Sequence, residues 1–316
     1  MFEDLQSRRT FAVSVGLSTF TGCFRLRRGA ITNPRIPGNS VNRFNFDVTT
    51  EIVYETMGSG RPLLMLHGFG ASKATWFDVQ DRLGKRYSLI MPDLKGFGES
   101  SKPDDHKYGI PDQAAIVFAL IKKLDLSNLT IVGHSYGGSV ALLTYLLLKD
   151  NNEQHRLRSL VIVDAPAFPQ QFPFFISMLR APLMNRSLLA LLPASFRAAY
   201  TLNRIFYDKA RVTSERIDRY ARFFDVPGIH RSMIAAAEQI LPANPAILSA
   251  RLGDFECRVL LVWGENDPVI PLWQAERITR SIRGAELIRI PKCGHVPPEE
   301  RPTEFLAAVM PFLEAS

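Results

Sequence analysis

The stretch LTIVGHSYGGSVAL, residues 129–142, sets one serine between a strand and a helix. Its first four residues form a β-branched apolar run typical of a buried strand, and the residues after Gly138 favour a helix. Ser135 therefore stands on a sharp turn, which strains its backbone and directs its hydroxyl away from the sheet. Gly133 and Gly137 suit this turn because a side chain at either position would collide with the neighbouring strand or helix.

The helix that starts after Ser135 directs its unpaired N–H groups and its positive dipole end toward the serine. Such a turn predicts a nucleophile that is also able to stabilise an oxyanion. The pattern G-x-S-x-G is weak by itself, because five loosely specified positions match by chance. Its specificity comes from the strand before it and the helix after it.

Composition indicates an ordinary globular protein with a sizeable core. The chain has 316 residues, of which 46% are hydrophobic and 22% charged, enough for one large α/β domain with an insertion or for two domains. The net charge is +7, but residues 1–43 hold +5 of it, and the remaining +2 argues against nucleic-acid binding. The three cysteines fit neither a disulfide framework nor metal-ligand spacing.

Residues 1–23 have the layout of an export signal, with a basic start, a short apolar stretch and a small-residue end. SRRTF at residues 7–11 resembles a twin-arginine signal, and FTGC at residues 20–23 resembles a lipoprotein lipobox with Phe20 in place of leucine. The pattern predicts export of a folded protein and membrane anchoring through a lipid on Cys23. Three alternatives stay open: a disordered basic leader on a cytoplasmic protein, a misplaced start codon, and an organellar transit peptide.

The rest of the chain alternates strand and helix. Residues 24–43 are rich in Arg, Asn, Pro and Gly and predict a linker, and FNFDV and EIVYETMG from Phe44 predict an antiparallel edge hairpin. Further strands are predicted at 63–66, 87–91, 129–132, 160–163, 258–262 and 286–290, and helices at 72–83, 111–124, 272–283 and 303–313. This alternation predicts an α/β fold with a mostly parallel central sheet and helices on both faces.

The alternation stops after Pro166. Residues 169–254 contain no buried-strand pattern, are rich in phenylalanine and proline, and carry eleven Lys and Arg against six Asp and Glu. We interpret them as a helical cap inserted between two parts of the core, 44–168 and 255–316. The phenylalanines predict an apolar small-molecule substrate under the cap, or alternatively anchor the cap helices to the core.

Five motifs occur in order, each at the end of a strand. They are HGFG at 67–70, DLKGFGES at 93–100, GHSYGG at 133–138, WGENDPVIP at 263–271 and GHVPPEERP at 294–302. From about residue 44 to the C-terminus the chain therefore resembles the α/β-hydrolase family, in particular its small capped serine hydrolases. That resemblance implies a Ser-Asp-His order of catalytic residues along the chain.

The resemblance implies a catalytic role for three residues. Ser135 is the nucleophile, and it requires a base because a serine hydroxyl is a poor nucleophile until it loses its proton. His295, which follows the last strand, is the expected base, and Asp267 is the acid that orients the imidazole. Asp164, which directly follows the predicted strand at 160–163, is the alternative acid. Asp93 is expected to organise its own turn.

The oxyanion hole requires two N–H groups that converge on the developing charge. Tyr136 supplies one as the residue after the nucleophile, and the resemblance places the other at Phe69. His67 is expected to pack within the same loop, and His134 to point away from the serine. Glycines at 68 and 70 allow the backbone to approach a substrate closely.

The implied activity is hydrolysis of a carboxylic ester with an apolar acyl or aryl group. A C–C bond hydrolase or a cofactor-free peroxidase or perhydrolase would use the same triad, and a non-catalytic binding protein would share only the fold. The serine argues against relatives that open epoxides or displace halide, which require a nucleophilic carboxylate. No nucleotide-binding glycine loop occurs, so no cofactor is predicted. Oligomeric state does not follow from the sequence.

The leader makes the first testable prediction. If residues 1–23 direct export and lipidation, mass spectrometry of the mature protein will find an N-terminus at Cys23 that carries acyl chains. An intact Met1 in the soluble cytoplasmic extract would contradict the assignment. A Cys23→Ser variant is the control, because it should lose the lipid without changing the folded part of the protein.

Overall fold

A sheet of eight strands forms the centre of the part of the chain that the computed structural model describes. The described residues are 40–171, 174–181, 191–240 and 246–315. The export signal predicted over residues 1–23, with the attachment site at Cys23, lies outside them and stays a prediction.

The sheet is parallel except at one edge. Its strands are β1 Ser40–Asn45, β2 Glu51–Met57, β3 Arg61–Leu66, β4 Tyr87–Pro92, β5 Leu129–His134, β6 Leu157–Val163, β7 Arg258–Gly264 and β8 Glu286–Ile290. They lie side by side in the order β1-β2-β4-β3-β5-β6-β7-β8. β2 pairs antiparallel with β1 and with β4, and every other pair is parallel. The predicted fold class is confirmed.

Helices cover both faces of this sheet. The described α-helices are α1 Phe77–Leu83, α2 Ile110–Lys123, α3 Tyr136–Asp150, α4 Phe174–Arg180, α5 Ala194–Ile205, α6 Ser214–Phe224, α7 Ile229–Glu238, α8 Ala246–Ser249, α9 Trp273–Ser281, α10 Pro297–Glu300 and α11 Pro302–Ala315. Between β6 and β7 the described residues contain helices and short turns but no strand. This is the segment in which the sequence predicts the cap.

The core consists of a layer on each face of the sheet. On one face Leu64 and Ile131 pack with residues of α2 and α3, and on the other Met65 and Val132 pack with Trp76 and residues of α11. β3 and β5 are buried on both faces, which explains why their sequences are continuously apolar rather than alternating. Each fully buried side chain of this size contributes about 1.5–3 kcal/mol to folding.

The edge hairpin differs from its prediction at both ends of its first strand. β1 begins at Ser40, so residues 40–43, which we predicted as linker, are strand, and it ends at Asn45 rather than at Val48. The sequence does not show its alternation because the strand is mostly exposed and four of its six side chains are polar. It ends early because the Asp47 carboxylate accepts hydrogen bonds from the N–H groups of Thr49 and Thr50, at 2.7 and 2.8 Å, and closes the turn.

The loop after β4 fixes the loop after β3. Asp93 accepts hydrogen bonds from the backbone and ammonium of Lys73, at 2.7 and 2.8 Å, and from the N–H of Glu99 at 2.8 Å. Burial alone would raise the pKa of Asp93, but Lys73 and these hydrogen bonds hold it below its ordinary value. Asp93 thus organises its own turn, as predicted. His67 Nε2 accepts the N–H of Leu94 at 2.9 Å and so joins the two loops.

Close packing at the turn after β5 leaves no room for side chains at its glycines. A Cβ at Gly133 would lie 2.5 Å from the carbonyl oxygen of Gly137, and a Cβ at Gly137 would lie 2.4 Å from the carbonyl oxygen of His67. Both contacts are with backbone, which is unable to rotate away. The helix therefore begins directly against β3 and β5, and the serine before it is held at the end of the sheet.

Among the described residues, no helix combines the length and the hydropathy that crossing a membrane requires.

This packing predicts that Gly137→Ala lowers the free energy of unfolding by about 1–3 kcal/mol, because the new methyl group forces α3 away from β3. Urea unfolding followed by circular dichroism measures the change. Gly253→Ala is the matched control, since nothing lies within 4 Å of a Cβ at that exposed position. Equal stabilities for the two variants would contradict this account of the turn.

Candidate active site

Ser135 occupies the turn between β5 and α3 with a backbone that non-glycine residues rarely adopt. Its φ is 52° and its ψ is −120°, and its N–H donates to the carbonyl of Val163 at 2.8 Å. A residue held in such a conformation costs on the order of 1–3 kcal/mol, and the close packing at Gly133 and Gly137 maintains it. The hydroxyl consequently points out of the sheet edge into a cavity.

The structure brings the three predicted catalytic side chains into one hydrogen-bonded chain. His295 Nε2 lies 2.9 Å from the Oγ of Ser135, and its Nδ1 lies 2.7 Å from an Oδ2 of Asp267. The residues meet because β5, β7 and β8 are parallel and end at the same edge of the sheet. A serine in this position is hydrogen-bonded to a base that is itself oriented by a carboxylate.

Asp267 rather than Asp164 contacts the imidazole. The Oδ1 of Asp267 also accepts the N–H groups of Val269 and Ile270, at 2.7 and 3.0 Å, so the carboxylate is fixed by the turn that follows it. Asp164 instead accepts the N–H of Gly264 at 2.9 Å. Burial and the neighbouring Asp267 raise the pKa of Asp164 well above its ordinary value.

Phe69 and Tyr136, the two residues predicted to form the oxyanion hole, lie on adjacent segments. Their rings meet edge to face with centroids 6.3 Å apart, and Phe97 packs edge-on against both. Tyr136 is the first residue of α3, so its N–H has no acceptor within the helix. The aromatic cluster therefore holds the turn after β3 beside the start of α3, as a two-donor site requires.

His134, the residue before Ser135, contacts the backbone of the catalytic-base candidate His295. Its side chain lines the same cavity as Ser135, and its Nε2 donates to the carbonyl oxygen of His295 at 2.7 Å. Burial, and then the proximity of His295, lower the pKa of His134 to about 3. The ring is therefore neutral near pH 7. It donates a hydrogen bond to the His295 carbonyl and so fixes the backbone of His295.

One cavity of about 140 Å³ opens onto Ser135 and His295. Its floor comes from the loops after β3, β5 and β8, and its roof comes from α4, α5, α6 and α7. The roof is mostly apolar; it includes Leu179, Phe196, Ile205, Phe224 and Met233.

Two of the polar side chains of the roof, Arg197 and His230, contact each other in the cavity wall. Arg197 donates to the Nε2 of His230 at 2.7 Å, which fixes His230 in the neutral form with its proton on Nδ1. Burial, and then the charge of Arg197, lower the pKa of His230. The roof thus combines apolar walls with one cation.

Two consecutive acids after His295 join this loop to the roof, and sequence reasoning missed both. Glu300 accepts the N–H groups of Gly294, Tyr207 and Asp208 at 2.8, 3.2 and 2.7 Å. The N–H of His295 itself donates to the carbonyl of Ile205, at the end of α5, at 2.8 Å. The only sequence feature that pointed to these acids was the PEE stretch at residues 298–300, and it did not show which groups the two carboxylates would contact.

Glu299 is the second of these acids, and it is buried against α6. It accepts the hydroxyl of Tyr220 at 2.5 Å, and Arg216 donates to its backbone carbonyl at 3.0 Å and to Asp78 at 2.5 Å. Burial raises the pKa of Glu299 to about 7, although Arg216 and Tyr220 oppose the shift. The network links α1, α6 and the loop that carries His295.

One group of side chains in the described residues has the composition of a metal site. Potential ligand atoms of His134, Asp164 and His295 lie within 4.8 Å of one another. Both ring nitrogens of His295 and the Nε2 of His134 are already engaged in the hydrogen bonds above. The geometry therefore fits a hydrogen-bonded catalytic cluster better than a metal centre.

Comparisons with known proteins identify the family and support the fold. A family model described as "Alpha/beta hydrolase family" matches residues 63–309. Lipase 3 of Moraxella sp. (strain TA144) is 31% identical over 253 residues, which are 76% of this chain and 73% of that protein. 2-Hydroxy-6-oxo-2,4-heptadienoate hydrolase of Pseudomonas putida is 25% identical over 82% of this chain and 91% of its own. An alpha/beta hydrolase fold protein from Burkholderia ambifaria has a TM-score of 0.75 and 26% identity, covering 85% and 97% of the two chains.

The burial of Glu299 predicts a pH-dependent stability. The carboxyl titrates near its ordinary value of 4.5 in the unfolded chain and near 7 in the folded protein. Between these values the folded protein binds the proton more tightly, so the free energy of unfolding falls as pH rises through this window. The contribution of Glu299 to that fall is about 3 kcal/mol at most.

Urea unfolding of the wild type and of Glu299→Gln between pH 4.5 and 7.5 tests this. The variant should gain stability relative to the wild type as pH rises. Glu304→Gln, at an exposed position on α11, is the control and should follow the wild type at every pH. A difference between Glu299→Gln and the wild type that does not change with pH would contradict the buried acid.

Proposed function

This chain belongs to the alpha/beta hydrolase family and is a hydrolase, and on that premise we propose that it is a serine hydrolase of carboxylic esters. The observation that carries the proposal is the chain of hydrogen bonds from Ser135 through His295 to Asp267, at 2.9 and 2.7 Å. A nucleophile, a base and an orienting acid are the three parts that acyl transfer requires.

The proposed reaction begins when the Ser135 hydroxyl attacks the ester carbonyl carbon. His295 Nε2 takes the hydroxyl proton, and the carbonyl oxygen becomes an oxyanion that the N–H groups of Phe69 and Tyr136 stabilise. The tetrahedral intermediate expels the alcohol, which receives the proton from His295, and an acyl-enzyme remains. Water then attacks this ester with His295 again as the base, and the acid product leaves with Ser135 restored.

Asp267 has an electrostatic role in both steps. It accepts the Nδ1–H of His295, so the lone pair on Nε2 faces the serine, and it stabilises the imidazolium that forms. The carboxylate keeps a fixed orientation because Val269 and Ile270 donate to its other oxygen. These contacts support its assignment as the triad acid over Asp164.

We propose an ester with an apolar acyl or aryl group as the substrate. The cavity above Ser135 is walled by Leu179, Phe196 and Phe224 among other apolar side chains. Desolvation of an apolar group by such walls is favourable, at about 25 cal/mol for each Å² removed from water. Similarity to Lipase 3 of Moraxella sp. supports an ester substrate.

A second candidate within the same fold is hydrolysis of a C–C bond. The similarity to 2-hydroxy-6-oxo-2,4-heptadienoate hydrolase favours it, and so does the cation of Arg197 among the apolar cavity walls. A substrate with a carboxylate next to its apolar part would match that composition. Turnover of a dienoate by the wild type, with no turnover of simple esters, would select this candidate over the first.

We keep export of the protein and its anchoring through Cys23 as a further proposal. It rests on the SRRTF and FTGC sequences of the leader. The core chemistry does not depend on it, since the proposed catalytic residues all lie between residues 63 and 309.

Replacement of the nucleophile tests the ester proposal. Ser135→Ala should lower kcat on p-nitrophenyl esters by about 10⁴-fold or more while the protein stays folded, because no other group in the chain of hydrogen bonds attacks the carbonyl. Esters of increasing chain length define the acyl preference, and a fluorophosphonate probe should label the wild type and not the variant.

Ser127→Ala, at an exposed position before β5, is the matched control and should react and label as the wild type does. Circular dichroism and thermal unfolding confirm that both variants are folded. Esterase activity retained in Ser135→Ala would refute the assignment, and a wild type that neither labels nor turns over any ester would favour a binding protein.

A further inference from the structure

The loop that carries His295 is held on both sides by backbone hydrogen bonds. On one side the loop after β7 donates an N–H to the carbonyl of Cys293 at 2.9 Å. On the other side the N–H of His295 donates to the carbonyl of Ile205 at 2.8 Å. The N–H of Gly294 lies between them, and its acceptor is the Oε2 of Glu300 at 2.8 Å. A carboxylate therefore binds the backbone directly before the base.

The same carboxylate also binds the roof of the cavity. Its Oε2 accepts the N–H of Tyr207 at 3.2 Å, and its Oε1 accepts the N–H of Asp208 at 2.7 Å. Both of these residues follow the end of α5. Glu300 has no exposed surface, and a hydrogen bond to a charged acceptor is about twice as strong as one between neutral groups. One side chain thus ties the end of α5 to the loop of the base.

The two segments that Glu300 joins are in close contact. A Cβ at Gly294 would lie 2.3 Å from the carbonyl oxygen of Ile205 and 2.7 Å from the backbone nitrogen of Tyr207, so the approach requires glycine. Phe206, between those two residues, is buried in the hydrophobic core. The roof segment is therefore anchored to the core, and Glu300 transmits its position to the base loop.

We propose that Glu300 is a positioning residue that couples the roof of the cavity to His295, because its carboxylate holds residues 205–208 and Gly294 in one fixed arrangement. The catalytic meaning of this inference rests on the proposed function. Glu300 acts through the backbone of the base loop and does not contact the reacting atoms. The arrangement itself is a property of the folded protein, and it is measurable in the absence of any substrate.

Loss of this carboxylate should affect the chemical step more than substrate binding. The imidazole of His295 must stay 2.9 Å from the Oγ of Ser135 and 2.7 Å from the Oδ2 of Asp267 to take and return the proton. A displacement of about 1 Å in such an arrangement costs about 10²-fold in rate. Glu300 is not among the described residues that line the cavity, so the walls that contact the substrate keep their side chains.

Two substitutions at Glu300 and one control separate positioning from a general loss of stability. Glu300→Ala removes all three hydrogen bonds. Glu300→Gln keeps one oxygen, which is able to accept either from Gly294 and Tyr207 or from Asp208, and its amide group repels the remaining donor. The control, Leu148→Val, removes one buried methylene group from the last turn of α3. That position lies about 20 Å along the helix from Ser135.

The proposal expects a loss of kcat on p-nitrophenyl esters at nearly constant KM. For each competent site, kcat should fall about 10- to 100-fold in Glu300→Ala and about 3- to 10-fold in Glu300→Gln, with KM within about threefold of the wild type. Leu148→Val should unfold at a lower temperature and keep the wild-type kcat. Thermal unfolding gives the folded fraction, and fluorophosphonate labelling carried to completion counts the competent sites.

Proton NMR of the substrate-free protein tests the position of the base directly. The Nδ1–H of His295, bonded to Asp267 at 2.7 Å, should give a resonance far downfield of the backbone amides. This resonance should keep its wild-type position in Leu148→Val and should shift or broaden in Glu300→Ala. If Glu300→Ala does not fold, Glu300→Gln serves for both measurements.

The outcomes distinguish the alternatives. A wild-type kcat in the folded Glu300 variants, or an unchanged His295 resonance, would overturn the inference. A larger KM with an unchanged kcat would overturn it as well, since Glu300 would then shape the cavity rather than position the base. An equal loss of kcat in Leu148→Val would show that lowered stability explains the effect. Activity retained in Ser135→Ala would overturn the proposed function alone, because the resonance does not depend on turnover.

Discussion

The arrangement of the site depends on the fixed orientation of His295. Four contacts hold the residue: its ring nitrogens meet Ser135 and Asp267, its N–H donates to Ile205, and its carbonyl accepts from His134. An imidazole with two ring partners has one tautomer and one useful orientation, so little conformational freedom is lost when a substrate arrives. The contacts come from the ends of β5 and β7 and from the roof of the cavity, and no single element is sufficient to orient the ring.

Local sequence was sufficient to predict the fold class, and the resemblance of its motifs to the α/β-hydrolase family named the residues that meet at this edge. Strand periodicity and turn chemistry are local, and parallel strands end at one edge whatever their separation along the chain. Ser135 and His295 are 160 positions apart along the chain. Nevertheless, Ser135 directly follows β5 and His295 lies in the loop after β8, and both strands end at that edge. The start of β1 was missed because an exposed polar strand carries no alternation to detect.

The roles of the buried acids near the site depend on tertiary contacts that the sequence did not show. In the sequence, Glu299 and Glu300 are two acids with nothing to separate them from the surface carboxylates. Burial makes each of them different: Glu299 lies against Tyr220, and Glu300 lies against three backbone N–H groups. The burial of an acid depends on which loops cover it, and those loops come from distant parts of the chain. The hydrophobic periodicity of the sequence therefore does not predict which acids are buried.

The helix that shapes the cavity also helps to position the base, which couples substrate recognition to chemistry. α5 places Phe196 and Arg197 in the cavity wall, and its last residue, Ile205, accepts the N–H of His295. A motion of the roof that admits a substrate must therefore leave the Ile205 end of α5 in place, or the base loses its orientation. Movement is less costly at the other end of α5, where Phe196 is about half exposed. Changes at the roof that alter this end should act on substrate binding, whereas changes near Ile205 should act on the rate of the chemical step.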